Sequence, residues 1–138
     1  AAQLVGRFER ERPGLAALAL GTDPLLAAQW PGADGIAQCA LQQLQALGLP
    51  GDVLLLLGTE AAELLPLTRA AHHKDMAVVV LTGRDGGALA DELAETDVLI
   101  AVPHERAVRI REVHALALHC LCDAVDLQLM GEQDTTHS

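Results

Sequence analysis

The chain has 138 residues, a formal net charge of −10 and a hydrophobic fraction of 51%. This length fits one domain with a sizeable apolar core. The negative charge argues against direct binding to the phosphates of DNA or RNA. No signal peptide is recognisable, and no uninterrupted apolar run reaches the roughly 18 residues that a membrane span needs. We therefore expect a cytoplasmic domain with neither a nucleic-acid nor a membrane partner.

The cysteines indicate a reducing compartment rather than a disulfide framework. Only Cys39, Cys120 and Cys122 occur, an odd number without regular spacing. Cys120 and Cys122 lie two positions apart in a helical pattern, so their side chains are expected to point to different faces. This spacing favours small core residues over zinc ligands.

The first third of the chain is predicted to alternate between helix and strand. Residues 1–10 have helical spacing, and the short apolar run 15–20 is typical of a buried strand. Asp23 is a predicted N-cap for a helix with Pro24 at its first position. Residues 36–47 form an amphipathic pattern that predicts a helix ending at Gly48.

A second predicted strand, residues 53–57, runs directly into a loop and another helix. The loop Gly58–Glu63 carries two carboxylates, and the helix is expected to continue to Lys74. Pro66 should delay its first regular turn to about Leu64 or Leu65. His72 and His73 are interpreted as a solvated helix end.

The last third repeats this alternation and ends in one long helix. Strands are predicted over 76–81 and 97–102, with a short helix over 88–94 between them. From Glu105 a helix reaches about Met130, and its middle is apolar on nearly every side. Such a helix must be buried all round, which in a domain of this size requires another subunit.

The alternation predicts a parallel, doubly wound α/β sheet with right-handed crossovers. In such sheets ligands bind where the strands end, and the free N–H groups of helix N-termini attract anions there. The loop Gly58–Glu63 therefore marks the place where a phosphorylated ligand would bind.

Several segments together resemble the sugar isomerase (SIS) domain family, in the branch of phosphoheptose isomerase and the DnaA initiator-associating protein DiaA. The likeness covers nearly the whole chain in the right order. The segments that carry it are Arg7 to Pro13, Leu18 to Asp23, Ala46 to Leu55, Leu81 to Gly87, Arg109 to His114 and His119 to Asp123.

The resemblance implies a flavodoxin-like αβα sandwich that assembles as a homotetramer, which suits the apolar last helix. It also implies that the family's N-terminal helices, first strand and first phosphate loop have no counterpart, and that Ala1 falls in the helix after that loop. We expect a single SIS domain over residues 1–131 and a disordered tail over 132–138.

The resemblance also implies where an active site would lie. The family's catalytic glutamate corresponds to Gln3, and its catalytic imidazole corresponds to His119. An amide cannot accept the proton that a carboxylate would remove. Zinc, where the family binds it, uses a glutamine at the position of Arg111, so no metal is expected here and no other cofactor is implied.

The implied phosphosugar site is also altered. The family's serine-rich phosphate loop aligns with Gly58–Glu63, which is shorter and keeps a hydroxyl only at Thr59. Glu60 and Glu63 would repel a phosphate dianion. Asp23, Gln43 and Thr82 remain, although each also has an interpretation as a turn, surface or strand-end residue.

These losses favour a non-catalytic SIS scaffold, a DiaA-like oligomer that binds a protein such as the replication initiator DnaA. The alternative is a phosphoheptose isomerase that converts sedoheptulose 7-phosphate to glycero-manno-heptose 7-phosphate with replaced site residues. A sensor that binds a sugar phosphate without turnover lies between the two.

Overall fold

The computed structural model describes residues 1–32 and 34–131, so the predicted disordered tail 132–138 lies outside the described residues. The described residues form two compact units, one of residues 1–19 with 115–131 and one of Leu20–His114. The single domain expected over 1–131 stays a prediction.

The elements follow the predicted order of helices and strands, apart from the first strand. They are α1 (Ala2–Val5), α2 (Pro24–Ala27), α3 (Gly35–Leu47), β1 (Val53–Leu57), a 3₁₀ helix (Ala61–Leu64), α4 (Leu65–His72), β2 (Ala77–Gly83), α5 (Gly87–Glu92), β3 (Val98–Val102) and α6 (Ala107–Met130).

The unit Leu20–His114 is built on a parallel sheet, as the sequence predicts. Its three strands have the order β1-β2-β3. Leu56 stands beside Val80 in the first pair and Leu81 beside Ile100 in the second. Parallel neighbours place the ends of β1, β2 and β3 at one edge, which confirms the α/β class.

One face of this sheet forms the core. Leu54 and Leu56 of β1 and Val78 and Val80 of β2 pack with Leu44, Leu64, Ala71, Met76 and Leu89 from the loops and helices around them. Each such leucine contributes about 1.5–3 kcal/mol by leaving water. The side chains of Val53, Leu55 and Leu57 point to the opposite face and are exposed.

Helix α4 begins where proline allows it. Pro66 occupies the first turn, where its missing N–H has no helical partner to lose, and regular α structure starts at Leu65. The preceding residues 61–64 form the tighter 3₁₀ helix. The predicted start at Leu64 or Leu65 is therefore confirmed, whereas the predicted α-helix over residues 60–63 is not.

The predicted strand over residues 15–20 was wrong. The sheet in the described residues has three strands, and this segment is not one of them. Its short apolar run fits a strand, but a strand needs a hydrogen-bonding neighbour and Leu18 is exposed. The first helix is also shorter than predicted and ends at Val5.

Candidate active site

In the unit formed by the two ends of the chain, one face of α6 holds the N-terminal segment. His119, Cys122 and Asp126 are spaced three and four residues apart, so they follow each other along one side of the helix. They contact Phe8, Gln3 and Arg12 respectively. Gln3, which the resemblance predicts at the position of the family's glutamate, thus contacts the helix face that carries His119.

The Gln3 side chain lies against α6. Its Oε1 is 3.6 Å from the Cys122 sulfur, which is the donor, and its backbone carbonyl accepts from Arg12. The amide oxygen can accept a hydrogen bond from a substrate hydroxyl, and the amide nitrogen can donate one. It offers no group that removes a proton from carbon.

His119 is an exposed histidine supported from one side. Its ring stacks on Phe8 with 5.4 Å between ring centroids and 29° between planes. Such stacking restricts the orientation of the ring without using either nitrogen. Within residues 1–32 and 34–131 neither ring nitrogen has a hydrogen-bond partner, so both can contact a ligand.

The two neighbouring cysteines of α6 differ as predicted. Cys120 is exposed and Cys122 is buried. Cys122 is therefore a core residue, as predicted, whereas the prediction of a core position for Cys120 was wrong.

Arg12 is the most connected side chain of this unit. Its Nε lies 2.6 Å from Oδ1 of Asp126, and its Nη atoms donate to the carbonyls of Gln3, Leu4 and Pro13. The side chains of Arg12 and Asp126 are 2% and 1% exposed. A second ion pair, Arg10 with Asp123 at 2.9 Å, lies nearer the surface.

The loop Gly58–Glu63 belongs to the other unit and lies where β1 ends. The N–H of Gly58 donates to the carbonyl of Leu81 at 3.0 Å, so it extends the sheet and is not free for a phosphate. Thr59 is half-buried, whereas Glu60 and Glu63 are exposed. The carboxylates thus stand at the sheet edge where an anion was predicted to bind.

Arg84 partly neutralises this edge, and its role was not foreseen from the sequence. Its guanidinium lies 3.3 Å from Glu60 and 3.4 Å from Glu105. The backbone of Arg84 is left-handed, with φ 55°. The signal available in the sequence was an arginine directly after the glycine that ends β2.

Asp23 and Gln43 have structural contacts. The Asp23 carboxylate accepts from the N–H groups of Leu25 and Leu26, which confirms the predicted N-cap of α2. Gln43 Oε1 accepts from the N–H of Gly21 at 2.7 Å. Gly21 needs its left-handed φ of 77° at this close approach to α3. A ligand role for Asp23 or Gln43 stays a prediction.

His114 and Arg111 bear on whether the chain could bind zinc. His114 is buried with Nε2 at 3.0 Å from the carbonyl of Thr82, and Arg111 is exposed. Among residues 1–32 and 34–131, no three His, Cys, Asp or Glu side chains converge as a metal site would require. The cationic Arg111, at a position where the resemblance implies a metal ligand, does not fit zinc.

Helix α6 is long and apolar enough, by length and composition alone, to cross a membrane. This is weak evidence for a membrane span, because core helices of non-membrane proteins have the same properties. Its carboxylates Asp123 and Asp126 are engaged by arginines of the same chain.

No protein-family model matches the chain. Among curated proteins, the phosphoheptose isomerase of Methylibium petroleiphilum is 57% identical over 138 residues, which are 99% of this chain and 69% of that protein. The phosphoheptose isomerase of Laribacter hongkongensis is 48% identical over 133 residues, covering 95% of this chain and 68% of its own length.

Solved structures show the same likeness. A phosphoheptose isomerase from Francisella tularensis superposes with a TM-score of 0.81 and 36% identity over 91% of this chain and 66% of its own. The enzyme from Neisseria gonorrhoeae gives 0.73 and 43% over 80% of this chain and 62% of its own. The fold is thus that of a SIS-domain protein.

Within that class, the chain belongs to the phosphoheptose isomerase family. The preference for a non-catalytic, DiaA-like scaffold was wrong, because relatives at 45% to 57% identity are named phosphoheptose isomerases. That preference gave too much weight to Gln3 and to the carboxylates of Gly58–Glu63. The alternative, a sugar-phosphate isomerase, is the better supported interpretation.

Proposed function

We propose that this chain acts as a sugar-phosphate isomerase on sedoheptulose 7-phosphate and glycero-manno-heptose 7-phosphate. The observation that supports this most is the 57% identity to a phosphoheptose isomerase over 99% of the chain. The chain spans 69% of that relative and 62% of the gonococcal structure. The proposal therefore concerns the share of the site that these residues provide.

His119 would carry out the proton transfer. Interconversion of a ketose and an aldose moves one proton between adjacent carbons through an enediol. One imidazole can remove the proton from C1 and return it to C2 on the same side, while the hydroxyl proton of O1 passes to O2. The exposed His119 ring, supported by Phe8, is the group of this unit that can do so.

Gln3 would bind rather than react. Its amide lies on the same α6 face, where it can hydrogen-bond the hydroxyl and carbonyl oxygens of the enediol. We expect slower turnover than a glutamate would give at that position, because an amide removes no proton.

The test is isomerisation in ²H₂O followed by NMR, which detects deuterium entering the sugar even when net conversion is slow. We expect His119→Ala to lower kcat by at least about 100-fold. His73→Ala, an exposed histidine at the end of α4, should change little. If deuterium exchange persists in the His119→Ala variant, another residue carries out the proton transfer. If the wild type shows no exchange, the proposed function is wrong.

A second variant tests the assignment of Gln3. Gln3→Glu restores a carboxylate and should raise kcat about tenfold. Gln42→Glu, an exposed change on α3, adds the same charge away from the site. An equal effect of the two would show that net charge is responsible.

We further propose that the protein forms a cytoplasmic homotetramer through α6. Leu116 and Leu129 are 63% and 62% exposed in the single chain. Identical copies provide a matching apolar surface to cover them. Light scattering should give four copies, Leu116→Glu should lower that number, and the exposed polar change Gln128→Glu should not. A monomeric wild type would disprove this assembly.

A further inference from the structure

The buried ion pair of Arg12 and Asp126 has a consequence beyond the contact that it makes. Taking both charges out of water costs several kcal/mol, and an apolar pair of similar volume is often equally stable. Moreover, Asp126 Oδ2 is buried without a hydrogen-bond partner in the described part of the chain. Stability alone is therefore a poor explanation for this pair.

Arg12 is also hydrogen-bonded to the backbone at Gln3. Helix α1 is one turn long, from Ala2 to Val5, and a helix this short is not stable without other contacts. Its last carbonyls have no helical N–H partners. Arg12 donates to two of them, those of Gln3 at 2.9 Å and Leu4 at 3.0 Å.

The other end of the guanidinium is fixed to α6. Asp126 follows His119 by seven residues, two turns further along the same face. One planar group thus connects the backbone of Gln3 to the helix that carries His119, with a fixed fork that lysine cannot reproduce. Phe8, between Gln3 and Arg12 in the chain, supports the His119 ring.

We propose that Arg12 and Asp126 are positioning residues that set Gln3 against the His119 face of α6. This rests on the proposed isomerase function. A displacement of about 1 Å at a reacting site can cost about 100-fold in rate. The loss of the pair should therefore affect turnover far more than stability.

The decisive variant replaces both charges by apolar side chains, Arg12→Met with Asp126→Leu, in the full chain. We expect the urea midpoint to stay near that of the wild type, kcat to fall about 10- to 100-fold, and KM to change less than about threefold. The matched control is Arg10→Met with Asp123→Leu, the neighbouring pair that does not contact Gln3. It should keep kcat within about threefold.

If the double variant does not fold, Arg12→Lys serves instead, since it keeps the charge and loses the fork. It should lower kcat about tenfold. Wild-type kcat in a folded Arg12→Met, Asp126→Leu protein or in Arg12→Lys would overturn the proposal. An equal loss of kcat in the control pair would also overturn it, because any disturbance of the N-terminal segment would then lower kcat.

A measurement without substrate separates this proposal from the isomerase function. Nuclear Overhauser contacts from the Gln3 side chain to Cys122 should disappear in the double variant and persist in the control pair. If the wild type does not turn over sedoheptulose 7-phosphate, the proposed function fails, but these contacts still report on positioning. Their persistence in the double variant would show that Arg12 does not position Gln3.

Discussion

Nε2 of His72 lies 2.6 Å from Oδ2 of Asp97 and connects the last turn of α4 to the start of β3. The Asp97 side chain is 1% exposed and also accepts from the N–H groups of Val78 and Ala94, both at 2.8 Å. Three separate segments meet at this carboxylate: the end of α4, strand β2 and the turn of residues 94–97. The interpretation of His72 as part of a solvated helix end was therefore wrong.

Replacement of Asp97 by asparagine should destabilise the fold markedly. The amide has the same shape, but its NH₂ group is a donor. It would face a backbone N–H group that donates to a carboxylate oxygen in the wild type. We expect a loss of about 2–4 kcal/mol in the free energy of unfolding by urea. Asp91→Asn, at an exposed position of α5, is the control and should change the free energy of unfolding by less than about 0.5 kcal/mol. An equally small change at Asp97 would contradict this role.

The same carboxylate predicts a pH dependence. Burial raises the pKa of Asp97, but the N–H groups of Ala94 and Val78 and the His72 imidazole outweigh it, so the pKa lies below its ordinary 3.8. The folded state therefore binds fewer protons than the unfolded state. The stability from this group is complete above that ordinary value and is lost as pH falls through the lower folded pKa.

Urea midpoints of the wild type and Asp97→Asn between pH 6 and pH 3 test this sign. The advantage of the wild type should be constant down to about pH 4 and should narrow below it. An advantage that grows on acidification would mean that the pKa of Asp97 is raised in the fold.

Local rules were enough to predict most elements from the sequence. Pro66 sets the start of α4. Gly48 is the C-cap of α3, as predicted. The runs that became β1, β2 and β3 are apolar in the manner of buried parallel strands.

Contacts between distant parts of the chain could not be predicted in the same way. Neither the His72–Asp97 pair, 25 residues apart, nor the Arg12–Asp126 pair, 114 apart, has a local signal. The resemblance predicted Gln3 and His119 as site positions, and the structure shows that Gln3 contacts the α6 face that carries His119. The segment 15–20 has a strand pattern, and pattern alone does not supply a pairing neighbour.

Asp75→Gly should stabilise the protein. Asp75 follows the end of α4 with a left-handed φ of 55°, a conformation in which glycine has no Cβ penalty. We expect a gain of about 0.5–1 kcal/mol, net of glycine's greater freedom in the unfolded chain, seen as a higher Tm. Asp91→Gly, in the regular helix α5, should instead lose about 0.5–1 kcal/mol. A lower Tm for both would show that Asp75 makes a stabilising interaction through its side chain.

Glu60→Gln should improve binding of a sugar phosphate if the ligand approaches the ends of β1 and β2. The change removes one negative charge from that edge and leaves Glu105 as the ionic partner of Arg84 within the described residues. We expect KM to fall about three- to tenfold at low salt, with a smaller effect at high salt because exposed charges are screened. Steady-state kinetics with sedoheptulose 7-phosphate measures it.

Glu95→Gln is the control for this change, since Glu95 is exposed and precedes β3, at the opposite edge of the parallel sheet. It removes the same charge from the chain, so a matching fall in KM would mean that only net charge matters. A rise in KM for Glu60→Gln would carry a different meaning. Glu60 would then act by holding the guanidinium of Arg84 toward the phosphate, and the carboxylate in this loop would be part of the binding site.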